Sequence, residues 1–256
     1  MLAETDSKNW LAGLGRQPTA SYRLYCFPYA GGSAFAFRDW VAAQLEICPV
    51  LLPGRDKRSG ESAYTRLTLL AEHISEALPV ERPYALFGHS MGATLAFETA
   101  RTLRRKGRPA PKYLFCSGCI APHLRSRGRQ KLRHLMKDEE LINELRFLQG
   151  TPEEVLGDHS LMHMLMPTLR ADFESVEMYH YEESPALECP IAVFGGTRDL
   201  EVNREELTAW RQHTRSHFSI RMLAGDHFFL HEHRVTMLHD IRAALCSVPV
   251  RRAIGA

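Results

Sequence analysis

The chain has 256 residues, of which 45% are hydrophobic and 24% charged, and its formal net charge is +2. These values are ordinary for one large α/β domain or a core with an inserted subdomain, and the near-neutral charge argues against a general affinity for nucleic acid. The first residues, MLAETDSKNWLAGLG, lack the basic start and apolar run of a secretory signal. No apolar run reaches the roughly 18 residues of a membrane span. We therefore expect a soluble cytoplasmic protein.

Short β-rich runs alternate with helical periodicity along most of the chain. Several of the runs are apolar nearly throughout, as strands buried on both faces tend to be. Helical stretches separate them, including 91–106, which Gly107 is expected to cap, and 233–246. The alternation predicts one α/β domain over residues 1–256, with a mostly parallel sheet and helices on both faces. The candidate strands are 22–27, 47–52, 84–88, 112–118, 191–196 and 218–223.

No strand is predicted between residues 122 and 185. Apolar residues recur there at helical spacing over 141–148 and 162–176, and Pro167 is expected to kink or break the second stretch. An insertion of roughly sixty residues is far longer than a crossover between parallel strands needs. We therefore predict a helical lid subdomain, called here the lid segment (122–185). Three methionines suit either an adaptable apolar surface or the core of the lid: Met162, Met164 and Met166.

The six cysteines are dispersed along the chain, and we expect them to be buried, reduced thiols. Cys116 and Cys119 form a single CxxC, whereas a metal site would need a second pair or histidines at ligand spacing. His231 and His233 lie two residues apart, which does not place them on one helix face. The sequence predicts no metal site and no cofactor of the protein's own.

The pentapeptide GHSMG (88–92) lies between a predicted strand and a predicted helix. On such a sharp turn a serine is held in a strained conformation that exposes its hydroxyl, and the crowded positions two before and two after take only small residues. Gly88 and Gly92 occupy these positions. His89 is not expected to be the base, because neighbouring side chains on the turn diverge. We interpret Ser90 as a catalytic nucleophile.

A serine nucleophile needs a base, and the base needs an acid that orients it. His227 follows the last predicted strand and Asp199 follows the strand before it. Ser90, Asp199 and His227 thus each lie just past the carboxyl end of a strand, in the chain order of α/β-hydrolases. We favour Asp199 as the acid over two alternatives, Asp226 and Glu201.

Two backbone amides are expected to hold the oxyanion. One is the amide of Met91, directly after the nucleophile. The other is the amide of Ala30 in FPYAGGSAFAF (27–37), where Gly31 and Gly32 allow the backbone to approach a substrate. An ordinary glycine turn before a helix is the alternative interpretation of this loop.

Seven stretches together resemble one family, the external type II thioesterases of nonribosomal peptide and polyketide synthases. Tyr29 is a small departure, since the family often has histidine there. The stretches run in the expected order from about residue 22 to 245: LYCFPYAGGSA (24–34), LLPGRDKR (51–58), FGHSMGATLAFETAR (87–101), SGCIAPH (117–123), LRADFESVEMYHY (169–181), FGGTRDLEV (194–202) and GDHFFL (225–230).

The resemblance implies an α/β-hydrolase fold and an enzyme that removes stalled or misprimed acyl groups from the phosphopantetheine thiol of carrier domains. It also favours Asp199 as the acid, and it implies that the lid after APH (121–123) borders an acyl chamber. Carrier domains and small acyl thioesters are then the expected partners, with no nucleic acid or membrane. The PGR at 53–55 lies near the site in this family, and we interpret it as a structural turn.

Three other functions stay open at this stage: a carboxylesterase or lipase on the same fold, an acyltransferase with a GHSxG serine, and a non-catalytic accessory protein that binds carrier domains. Residues 101–133 contain eleven of the 32 lysines and arginines and no acid. This basic run predicts either a docking surface for acidic carrier domains or a solvated face balanced by the acids of 138–140 and 153–154.

Overall fold

The computed structural model describes residues 9–125 and 131–247, and a sheet of six parallel strands lies at its centre. The strands are β1 Tyr22–Phe27, β2 Leu45–Pro49, β3 Tyr84–His89, β4 Leu114–Ser117, β5 Ile191–Gly196 and β6 Phe218–Leu223. Their spatial order is β2-β1-β3-β4-β5-β6. The order reverses between β1 and β3, and in open parallel sheets such a reversal leaves a crevice beyond the carboxyl ends of the strands. The predicted parallel sheet is confirmed.

The helices pack on both faces of this sheet, as predicted. One hydrophobic cluster joins the first two helices to one face, and a second cluster joins the last helix to the other face. The helices are α1 Leu67–Ala77, α2 Met91–Arg105, α3 Asp138–Leu148, α4 Glu153–Leu156, α5 His159–Glu177, α6 Arg204–Thr208 and α7 Arg234–Ser247. Gly107 follows α2 with a φ of +64°, and its amide donates to the carbonyl of Arg104 at 3.0 Å, so the expected end of this helix is confirmed.

Strand β2 is displaced from its predicted position, whereas the other strand boundaries agree within two residues. The predicted strand was 47–52, whereas β2 begins at Leu45. It therefore includes Glu46, a charged residue that is fully buried. Arg23 compensates this charge with a hydrogen bond of 2.9 Å from its Nε. Leu51 and Leu52 lie beyond the end of β2 yet remain buried, which is why they resembled part of a strand in the sequence.

The described part of the lid segment is helical and contains no strand. Its helices enclose a third hydrophobic cluster, separate from the two clusters that cover the sheet. Met162 and Met166 are buried in this cluster, whereas Met164 is 69% exposed. Two of the three methionines therefore fill the core of the lid, and the inserted subdomain over 122–185 stays a prediction.

Helix α5 continues through Pro167, so of the two expected effects of this proline, a kink or a break, the break is wrong. Proline has no amide hydrogen, and the carbonyl of His163 therefore receives no helical hydrogen bond from it. The helix persists because Met166 and Leu169, on either side of the proline, are both buried in the third cluster. Tertiary packing outweighs the local penalty at this position.

Five of the six free cysteines are buried, but Cys246 is exposed, so the expectation of a buried thiol is wrong there. The cause is its place on α7, where the neighbouring Leu245 takes the buried position. Within residues 9–125 and 131–247, no group of three or more His, Cys, Asp or Glu side chains could hold a metal ion. No helix in the same ranges is long and apolar enough to cross a membrane.

Two histidines form a contact that should make the fold sensitive to acid. Nδ1 of His123 lies 2.8 Å from Nε2 of His213, so one nitrogen donates and the other accepts. Burial, reinforced by the charges of His123 and Arg101, lowers the pKa of His213 from 6.5 to about 4. The unfolded chain therefore binds more protons than the folded chain below pH 6.5, and stability falls as the pH falls.

We expect this histidine to account for a loss of about 2 kcal/mol in the free energy of unfolding between pH 7 and pH 5. Denaturant unfolding of His213→Gln should show a correspondingly shallower dependence on pH than the wild type. His217→Gln, at an exposed position, should keep the wild-type slope. Parallel curves for wild type and His213→Gln would contradict the prediction.

Candidate active site

Ser90 occupies a strained turn between β3 and α2. Its φ of 52° and ψ of −117° lie outside the regions that residues with a side chain usually adopt. A Cβ on Gly88 would come within 2.0 Å of the carbonyl oxygen of Gly92, and one on Gly92 within 2.1 Å of that of Phe27. The turn therefore excludes any side chain two residues before or after Ser90. This is the steric pattern from which a nucleophile turn was predicted.

His227 and Asp199 form a pair in the loops after β6 and β5. Nδ1 of His227 lies 2.9 Å from Oδ2 of Asp199, and the Asp199 side chain is fully buried. Oδ1 of Asp199 accepts hydrogen bonds from the amides of Glu201 at 2.8 Å and Val202 at 3.2 Å. Both oxygens are thus occupied, and the carboxylate has a fixed orientation toward the imidazole.

The two alternative acids have other partners. The carboxylate of Glu201 accepts from the guanidinium of Arg133 at 3.0 Å. Oδ1 of Asp226 accepts from the amide of Phe228 at 2.8 Å. Of the three candidate carboxylates, Asp199 is the one that contacts His227, which supports its assignment as the acid.

His89 is a buried ring beside the turn rather than a second base. Its Nδ1 hydrogen-bonds with Oγ of Ser117 at 2.9 Å, and burial holds its pKa well below the usual value of 6.5. Its ring centroid lies 5.1 Å from that of His227. The imidazole of His227 is therefore close to the residue that precedes Ser90.

The two predicted oxyanion donors lie on either side of the reversal in strand order. Ala30 follows β1, and Met91 is the first residue of α2. Both residues line the same cavity as Ser90 and His227. Neither amide donates a hydrogen bond to another described residue. Both amides are thus available to a substrate oxygen.

The cavity around these residues has a volume of about 1110 Å³. Its volume slightly exceeds the range of about 300–1,000 Å³ that is common for ligand sites. Part of its wall is apolar and comes from the helices of the lid segment: Leu145, Leu148, Val155, Leu165, Phe173 and Val176. The cavity can therefore accommodate an apolar chain beside the serine.

The basic run 101–133 does not form one continuous surface in the described residues. Arg105 and Lys106 form ion pairs with α1, at 3.2 and 2.7 Å, and Arg108 donates to backbone carbonyls. Three later members of the run line the cavity: Arg125, Lys131 and Arg133. Arg127 and Arg129 lie outside the described residues.

A buried ion pair beside the cavity was not predicted. Arg55, in the PGR motif, contacts Asp172 on α5 through both of its terminal nitrogens, each at 2.6 Å. The two residues are 117 positions apart, so no sequence spacing relates them. The only signal is that both lie within stretches that resemble the family, LLPGRDKR and LRADFESVEMYHY. His231 also has a structural contact, since its Nε2 lies 3.2 Å from the hydroxyl of Tyr29.

A parallel sheet with a strained serine turn after β3, and an acid–histidine pair after later strands, defines the α/β-hydrolase class. Comparison with known proteins identifies the family within that class. Residues 22–245 match the Thioesterase domain family, and the chain belongs to it.

Known proteins are similar to this chain over nearly its whole length. The gramicidin S biosynthesis protein GrsT of Aneurinibacillus migulanus is 42% identical over 234 residues, which cover 90% of this chain and 91% of GrsT. The solved structure of RedJ, a thioesterase from the prodiginine pathway of Streptomyces coelicolor, has a TM-score of 0.83 and is 39% identical, with 88% of this chain and 91% of RedJ covered. BorB, a type II thioesterase from the borrelidin cluster, has a TM-score of 0.84, 39% identity and coverage of 92% and 97%.

Proposed function

We propose that this protein hydrolyses acyl thioesters from the phosphopantetheine arms of carrier domains in nonribosomal peptide or polyketide biosynthesis. The observation that carries the proposal is the Asp199–His227 pair, at 2.9 Å, in which His227 lines the same cavity as Ser90, in a chain of the Thioesterase domain family. Relatives named for the gramicidin S, prodiginine and borrelidin pathways support the biosynthetic setting.

In the proposed reaction, Asp199 orients His227, and the imidazole takes the proton of the Ser90 hydroxyl as that oxygen attacks the thioester carbonyl. The amides of Met91 and Ala30 stabilise the oxyanion. The carbon–sulfur bond breaks, and the pantetheine thiol leaves with the proton that His227 holds. A water molecule then attacks the acyl-enzyme by the same route and releases the free acid and Ser90.

The enzyme would need no cofactor of its own, because the phosphopantetheine belongs to the carrier domain. The apolar wall of the cavity suits the acyl chain, which supports the lid segment as the border of an acyl chamber. Arg125 lines the same cavity and carries a charge that would attract an acidic carrier domain, whereas Lys131 and Arg133 form ion pairs with Glu144 at 2.9 and 2.8 Å. The docking interpretation of the basic run therefore applies to Arg125 rather than to the run as a whole. In the first part of the run, Arg105 and Lys106 are paired with α1.

An acyl group presented as a thioester and as a matched oxygen ester tests the proposal. We expect the enzyme to hydrolyse the carrier-bound thioester at least about tenfold faster than the ester, since a thiol with a pKa near 8.5 leaves more readily than an alcohol. The same acyl group on a small thiol should react with a higher KM because it lacks the carrier surface.

The measurement is the release of free acid, with the carrier and acyl chain held constant and the spontaneous rate subtracted. A preference for the oxygen ester would instead favour the carboxylesterase alternative. Binding of the acyl-carrier without any release of acid would favour the non-catalytic accessory protein.

A further inference from the structure

One face of helix α5 contacts two loops and the first residue of helix α2 around the candidate active site. Thr168, Asp172 and Ser175 are spaced by four and three residues and therefore lie on the same side of the helix. The hydroxyl of Thr168 donates to the carbonyl of Gly54 at 3.0 Å. Oγ of Ser175 lies 3.8 Å from the sulfur of Met91, whose amide is a proposed oxyanion donor. Asp172 lies between these two contacts.

Asp172 connects the helix to the loop that carries the other proposed donor. Its carboxylate is bound bidentately by Arg55, and the two side chains are 4% and 8% exposed. Oδ2 of Asp172 also accepts from the amide of Gly31 at 2.8 Å. Nη1 of Arg55 also donates a hydrogen bond to the carbonyl of Gly32 at 2.9 Å. Such planar, charge-assisted contacts impose a specific geometry on the groups they join.

These contacts act on Ala30 through a single turn. The amide of Gly32 donates to the carbonyl of Tyr29 at 2.8 Å, and this carbonyl shares a peptide plane with the amide of Ala30. Gly31 has a φ of +72°, and a Cβ there would come within 2.5 Å of the Leu169 side chain on α5. The helix therefore packs directly on the turn, and the ion pair fixes the turn's last two residues.

We propose that Arg55 and Asp172 are positioning residues that align the Ala30 amide with the oxyanion and make this alignment depend on the seating of helix α5. The inference rests on the proposed function and deepens it. Movement of α5 away from the sheet would break the contact to Gly31, so an open lid would also lack a properly placed donor. Hydrolysis would then occur only with the lid seated over the acyl group.

The test uses Asp172→Asn, which keeps the size of the side chain and removes its charge. We expect kcat for a small acyl thioester to fall by about 10- to 100-fold while KM changes by less than about threefold, because a displaced oxyanion donor weakens the transition state and leaves substrate binding intact. Arg55→Lys keeps the charge but loses the bidentate contact, and should cause a smaller loss of kcat.

Two inhibitors distinguish a displaced oxyanion donor from general damage to the active site. An acyl trifluoromethyl ketone, which forms a tetrahedral oxyanion with the serine, should bind Asp172→Asn more weakly by the factor lost in kcat/KM. A thioether analogue, which forms no oxyanion, should bind both proteins equally. Glu46→Gln is the matched control, since it breaks another buried ion pair, that of Glu46 on β2 with Arg23 on β1, outside the lid segment. This control should keep kcat and both inhibition constants within about threefold of the wild type.

The inference is overturned if folded Asp172→Asn keeps kcat within threefold of the wild type, or if both inhibitors weaken equally. Near-ultraviolet circular dichroism at the assay temperature establishes folding, and Arg55→Lys decides by the same criteria if Asp172→Asn does not fold. A wild-type protein that fails to hydrolyse thioesters would refute the proposed function and this inference together. Unaffected variants of an active enzyme would refute the inference alone.

Discussion

Replacement of Ser90 by alanine should lower the rate of acyl-thioester hydrolysis by about 10⁴-fold or more, because the reaction then has no nucleophile that His227 can activate. Single-turnover release of acid from an acyl-carrier domain measures this loss. Binding of the acyl-carrier should persist, since the cavity and both backbone donors remain. Mass spectrometry with a slowly hydrolysed substrate should show an acylated wild-type protein and no acylation of Ser90→Ala.

Ser75→Ala is the control, because Ser75 is buried on α1, donates to the carbonyl of Glu72 and does not line the cavity. It should retain the wild-type rate. A Ser90→Ala protein within tenfold of the wild type would contradict the assignment of the nucleophile. A variant that is inactive in hydrolysis and still restores the output of a synthase would instead support the non-catalytic accessory function.

The sheet and the serine turn could be predicted because their signals are local. Apolar runs with turn residues between them define strands such as Tyr22–Phe27 and Ile191–Gly196, whose boundaries agree with the prediction. Gly88 and Gly92 identify the turn because a Cβ at either position would collide with backbone. Chain order then placed Asp199 and His227 after successive strands, and parallel strands direct those ends to one edge of the sheet.

Features that depend on long-range contacts could not be predicted. Glu46 lies inside a strand because Arg23 pairs with it, and the sequence alone shows only a charge in an unfavourable position. Pro167 lies within a continuous helix because the residues around it pack into the core of the lid. The basic run is continuous in the sequence, but the folded chain pairs Arg105 and Lys106 with α1 and brings the described basic residues from Arg125 onward to the cavity.

Replacement of Asp199 by asparagine should reduce kcat/KM by about 10³- to 10⁴-fold with little change in substrate binding. The reason lies in the hydrogen bonds of the carboxylate. Oδ1 accepts from the amides of Glu201 and Val202, and Oδ2 contacts Nδ1 of His227 at 2.9 Å. An asparagine that keeps its oxygen toward the two amides presents NH₂ to the imidazole. Nδ1 must then accept, the proton moves to Nε2, and the imidazole can no longer take a proton from Ser90.

The opposite orientation of the amide does not restore activity. It would turn the NH₂ group toward the amides of Glu201 and Val202, so that donors face donors in a buried site. Glu201→Gln and Asp226→Asn are the controls, since glutamine at 201 changes only a partly exposed contact with Arg133 and asparagine at 226 still accepts from the amide of Phe228. Both should stay within about tenfold of wild-type kcat/KM. If Asp199→Asn remains active while one of these variants loses activity, the residue changed in that variant is the orienting acid. The hydrogen bond between Asp199 and His227 would then only stabilise the loop after β5.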